Sequence, residues 1–93
     1  MKMNNKEPAR RSSRRFLAHN LMIARTIHGW SQEQLGLQSG LKRTYIGAIE
    51  RCEINPGVDN LDKLAKAIGV ASHVLILEPE QAHALLYRSR NGN

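Results

Sequence analysis

Apolar side chains recur along this chain at intervals of three and four residues, and the runs break at glycines. From about Arg14 to His28, the residues Leu17, Leu21, Ala24 and His28 fall on one stripe, widened by Phe16, Ile23 and Ile27, which predicts a first amphipathic helix ended by Gly29. Ser31 is a good N-cap with Glu33 and Gln34 behind it, so a second helix is expected from Gln32 to about Ser39. Gly40 can take the positive φ that a sharp exit requires, and Leu41 just beyond it can fold back onto the core. A third helix, roughly Arg43 to Arg51, then turns Ile46 and Ile49 inward, beside Leu35 and Leu41.

The second half continues the pattern. After the turn EINPG, Asp59 and Asp62 are expected in the first turn of a fourth helix, where they complement its dipole. Its apolar stripe is Leu61, Leu64, Ala65 and Ile68; Lys66 lies near its end and Gly69 terminates it. Ser72 is read as the cap of a short fifth helix, His73 to about Leu77. Pro79 suits the first turn of a sixth segment with Ala82, Leu85 and Leu86 on one side. No β-strand is required. The expected fold is all-α: a compact bundle of five helices around two short helices meeting at a glycine turn, plus a short C-terminal helical extension. The expected organisation is a disordered basic arm over 1–13, a helix-turn-helix domain over 14–77, and the helical extension with a frayed tail over 78–93.

Charge sharpens this picture. The chain has 93 residues, enough for one small domain, with 14 Lys and Arg against 8 Asp and Glu, a formal charge of +6 that favours a polyanionic partner. Residues 1–15 carry Lys2, Lys6, Arg10, Arg11, Arg14 and Arg15 against Glu7 alone, so most of the excess sits there. With almost nothing apolar before Phe16, that segment cannot offset its ordering entropy. It is either a solubilising tail or an arm that follows DNA phosphates or enters a minor groove. One cysteine excludes an internal disulfide framework, and without an apolar run of membrane length the chain reads as cytoplasmic, with no membrane partner. His19, His28, His73 and His83 are isolated, so neither a metal nor another cofactor is expected.

The outer face of the third helix carries the chemistry. Thr44, Ala48 and Arg51 lie at i, i+4, i+7, with Lys42 and Arg43 at the N-terminal end; this basic, hydrogen-bonding and slender face fits a DNA major groove. The segments SQEQL, SGLKRTYI, IE and the following NP resemble the lambda-repressor-like (Cro-type, xenobiotic-response-element type) helix-turn-helix domain, over about Leu21 to Leu77. Within it, RTYIGAIE is most similar to the controller proteins of restriction-modification systems. The resemblance implies an ion pair between Arg25 and Glu50. Two positions depart from the family pattern. Gly36 stands where alanine usually lets the second and third helices cross, which costs about 1 kcal/mol in helix propensity. Cys52 stands where glycine or asparagine usually ends the third helix in a left-handed conformation, so either strain is tolerated or the helix ends differently. Inert packing, rather than redox sensing, is the expected role of this lone thiol.

The N-terminal residues of such a helix come closest to base edges. Arg43 can donate two bonds to guanine O6 and N7, Thr44 can bond a base edge or touch a thymine methyl, and Ala48 adds close apolar contact. Gln32, at the start of the second helix, favours a phosphate oxygen, and Lys42, Tyr45, Arg51 and Asn55 are further phosphate candidates, as the resemblance also implies. Tyr45 could instead be core, Asn55 a loop former and Arg51 a complement to the helix C-terminus. Val70, Val74, Leu75, Ile76 and Leu77 are more apolar surface than one short helix needs. A homodimer interface is therefore expected through Val74, Ile76, Leu77, Leu85 and Leu86. No paired carboxylates, phosphate-cradling loop or activated nucleophile is present, so enzymatic function is not expected. The leading expectation is a homodimeric transcriptional regulator, of repressor or controller type, on a pseudo-palindromic double-stranded operator. The alternative is an antitoxin that holds a toxin through its C-terminal segment and autoregulates its operon; no small-molecule effector is indicated.

Overall fold

The computed structural model describes residues 12–90, which form five α-helices, one 3-10 turn and no strand. In chain order these are α1 (Ser13–His28), α2 (Gln32–Ser39), α3 (Arg43–Glu50), α4 (Val58–Ile68), the 3-10 helix η1 (Ser72–Ile76) and α5 (Pro79–Ser89). The expected disorder of the basic arm falls on residues outside those described, except at its end. Ser12 is the N-cap of α1 and its hydroxyl accepts from Arg15 N, so residues 12 and 13 belong to the helix rather than to the arm.

Each boundary has a local cause. At α1 the chain leaves through Gly29 at φ 73°, where Trp30 N donates to Arg25 O and Gly29 N to Thr26 O, the paired bonds of a Schellman turn. That turn stacks Trp30 on His28, with ring centroids 4.5 Å apart. Ser31 and Gln34 form a full capping box at the start of α2. Gly40, at φ 81°, sends both its own N–H and that of Leu41 to Gly36 O.

Gly36 tolerates a close approach, nearest at the turn and next at Arg43 N, the first residue of α3, and α2 and α3 pack together as the sequence suggested. A methyl group there would stand 2.6 Å from Leu41 O, so the bare Cα lets the turn fold against α2. α3 ends one residue early, with Arg51 as its cap, and Cys52 does take the left-handed conformation, at φ 62°. Cys52 N donates to Ile49 O and Glu53 N to Ala48 O, so a Schellman turn forms without its usual glycine.

The inward stripes of all five helices meet in one core, in which Leu21, Leu35, Ile46, Ile49, Leu64 and Leu75 are fully buried. Two expectations about the second half need correction. Asp62 lies beyond the first turn of α4, and it accepts from the Ser72 hydroxyl. Ser72 therefore caps nothing; η1 starts after Ala71 without a side-chain cap. α5, expected as an extension, packs its own apolar side into the common core, with Ala82 and Leu86 fully buried. Its far end is tied back by His28 Nε2, which shares a hydrogen bond of 3.1 Å with Ser89 Oγ.

Asn20 explains how α1 gathers these C-terminal pieces. It lies on the buried stripe between Leu17 and Ala24, and its Nδ2 donates to Leu75 O at 3.0 Å and Leu77 O at 2.8 Å. Those carbonyls stand at the end of η1, where a helix leaves acceptors over, and the Asn20 amide supplies each of them a donor.

Candidate nucleic-acid interface

α3 presents two unlike faces. Ile46 and Ile49 are fully buried, while Arg43 and Thr44 are exposed at its N-terminal end and Ala48 is half-buried one turn on. Lys42 is its exposed N-cap, and its ammonium, which has donors only, makes no cap bond to the N–H groups it precedes. The outward surface is thus cationic and hydroxylic at one end and carries only the small Ala48 side chain one turn on.

What fixes α3 in place is Glu50. Its carboxylate receives Arg25 Nε at 2.6 Å, Arg25 Nη2 at 2.9 Å and Gln32 Nε2 at 2.9 Å. Arg25 also donates through Nη1 to Trp30 O at 3.0 Å. One buried acid, its side chain 4% exposed, therefore joins α1, α2 and α3, and the fork-to-fork geometry fixes rotation as well as distance. Gln32 stands at the start of α2 as expected, but its amide nitrogen is directed at Glu50 rather than only outward.

The remaining polar candidates are distributed around α3. Tyr45 packs its ring against the core, and its hydroxyl accepts from Asn60 Nδ2 at 2.9 Å, which leaves the phenolic proton free to be donated. Asn55 is exposed on the loop after α3, across an open groove from Ser12, Ser13, Arg14 and Arg15, with Arg51 and Cys52 on the same wall. Arg51 is engaged by Glu53: Nε donates to Oε2 at 2.9 Å and Nη2 to Oε1 at 3.1 Å. The hydrogen bonds from the Arg51 guanidinium hold the Glu53 carboxyl below the usual carboxylate range, and the same contact raises Arg51.

Sequence reasoning did not single out Asn20, Glu53, Asn60 or Ser89. Asn20 had a detectable signal, an amide on an otherwise apolar stripe. The others had none, because their partners are set by turns and helix packing. Of the residues expected to form an interface between copies, Val74 and Leu86 are corrected: both are buried in the chain's own core. Ile76 and Tyr87 are exposed on η1 and α5, with Leu77 and Leu85 half-buried. Among the described residues no group of three or more His, Cys, Asp or Glu could hold a metal, and no helix is long and apolar enough to cross a membrane.

Comparison with known proteins places this arrangement. The Helix-turn-helix family profile matches residues 21–75, from within α1 to the last turn of η1. A Neisseria hypothetical transcription factor from Neisseria meningitidis serogroup B is 42% identical over 82 residues, covering 88% of this chain and 77% of that protein. Control protein C.SmaI of Serratia marcescens is 48% identical over 56 residues, covering 60% and 67% of the two chains. Control protein C.BamHI of Bacillus amyloliquefaciens is 50% identical over 40 residues, 43% of this chain and 49% of its own. The crystal structure of the hypothetical transcription factor NHTF from Neisseria superposes with a TM-score of 0.72 at 43% identity, over 80% of this chain and 85% of that one. With a family profile over more than half of its length and a relative 42% identical over 88% of it, the chain belongs to the lambda-repressor/Cro-like helix-turn-helix family of DNA-binding transcriptional regulators.

Proposed function

We propose that this protein is a sequence-specific regulator that binds double-stranded DNA as a homodimer, one α3 per half-site of a pseudo-palindromic operator. The observation that carries the reading is the division of α3 into a fully buried face and an outward face that begins with Arg43 and Thr44. In this reading Arg43 donates two bonds to a guanine, Thr44 meets a base edge or thymine methyl, and Ala48 allows close approach. Gln32, Lys42, Tyr45, Arg51 and Asn55 meet phosphates on either side, and they position the helix without reading sequence.

Two-fold pairing supplies what one helix lacks. A single α3 reads too few base pairs for operator-level specificity, and a dimer doubles the readout with half-sites about 34 to 36 Å apart. On η1 and α5, Ile76 and Tyr87, flanked by Leu77 and Leu85, are the apolar surface that this pairing would use. The likeness to two control proteins favours a controller-type role over an antitoxin. The apolar side of α5 is spent in the core, which takes away much of the segment that the antitoxin reading relied on. Selection of bound sites from a random DNA pool tests the proposal: a two-fold symmetric consensus supports it, and recovery of unenriched sequence rejects it.

A further inference from the structure

We propose that Glu53 is a positioning residue that aims Arg51 at a backbone phosphate lying in the groove between the start of α1 and the end of α3. The inference rests on the DNA-binding reading above and assigns a role to an acid that this reading leaves unused. Glu53 is placed by the backbone. The left-handed Cys52 reverses the chain, and the bond from Glu53 N to Ala48 O at 2.9 Å fixes the reversed segment against the last turn of α3. The Glu53 carboxylate then lies against Arg51, two residues earlier, and grips one edge of its guanidinium through Nε and Nη2.

A guanidinium has five N–H donors, and this grip uses two. Those remaining lie on Nη1 and the outer side of Nη2, a second fork suited to two oxygens of one phosphate. Nη1 lies 3.1 Å from the place a side chain on Gly47 would occupy, so the missing side chain leaves Arg51 room along α3. The wall that Arg51 shares with Asn55 faces Arg14 and Arg15 across the groove, and three guanidinium groups there make it a track for a polyanion.

Two effects of Glu53 on DNA oppose each other. As a charge beside phosphates it repels; as a clamp it removes rotamer freedom from a long side chain that must otherwise be ordered on binding. The two separate in a double-mutant cycle using Glu53→Ala, Arg51→Ala and the double variant, titrated against the selected operator and a scrambled duplex over a range of salt. Both residues are exposed and all three variants are expected to fold, which thermal melts check.

Arg51→Ala is expected to weaken both duplexes about tenfold and to reduce the salt slope by about one. Glu53→Ala weakens binding several-fold while Arg51 is present and strengthens it once Arg51 is gone. Glu53→Gln, which keeps one acceptor, recovers part of the loss. Tighter binding by Glu53→Ala in both backgrounds overturns the proposal and leaves the carboxylate as a simple repulsive charge. Loss confined to the operator in Arg51→Ala overturns the phosphate assignment in favour of base reading. If the unmodified protein binds neither duplex, it is the DNA-binding reading itself that fails, a result distinct from either.

Discussion

Arg25 and Glu50, 25 residues apart in sequence, form a two-pronged ion pair at 2.6 and 2.9 Å that locks α1 to the end of α3. Gln32 adds a third donor from α2, so the orientation of the proposed recognition helix depends on one carboxylate.

Replacing Glu50 with Ala should therefore cost more than a surface pair would. It strands an Arg25 side chain that is only 20% exposed, and the Gln32 amide with it. A loss of about 2 to 4 kcal/mol is expected by analogy with buried pairs broken on one side, measured as a shift of the urea midpoint. A loss below about 0.5 kcal/mol would place the pair with ordinary surface bridges.

Arg43 is exposed and makes no packing contribution to the core, so Arg43→Ala should leave the melting curve unchanged. Affinity for the selected operator should fall by about 1 to 3 kcal/mol while a scrambled duplex is affected little. Equal losses on both would show that Arg43 meets a phosphate.

Because Ser12 caps α1, the informative truncation removes residues 1–11 and keeps the cap. It deletes Lys2, Lys6, Arg10 and Arg11, and the slope of log K against log salt should flatten by roughly 0.9 for each phosphate that these side chains neutralise in the full chain. An unchanged slope would identify the segment as a solubilising tail.

Two substitutions in the C-terminal part should behave in opposite ways. Ile76→Glu combined with Tyr87→Glu should give a folded monomer with much weaker operator binding, since both residues are exposed. Leu86→Glu should unfold the chain, because it puts a carboxylate into a fully buried position. Sedimentation and circular dichroism separate the two results. An unmodified protein that is already monomeric at tens of micromolar, roughly the range of a weak interface, would contradict the dimer.

Local rules determined most of the architecture. Glycines at 29, 40 and 69 end helices because only they reach positive φ without strain, and Ser31 begins one because its hydroxyl meets an orphan N–H. Apolar spacing placed Leu21, Leu35, Ile46 and Ile49 in the core, and the residue types at Arg43 and Thr44 marked the outward face of α3. Tertiary structure alone decided how surplus apolar surface is shared. Periodicity shows which side of α5 is apolar, but whether that side meets α1 or another molecule depends on how η1 directs the chain after α4. The Asn20 bonds to Leu75 and Leu77 hold that direction, and Leu86 is buried as a result. The left-handed Cys52 decided likewise that Glu53 meets Arg51. Periodicity specifies a helix face; the partner of that face depends on chain geometry between distant segments, which no local pattern contains.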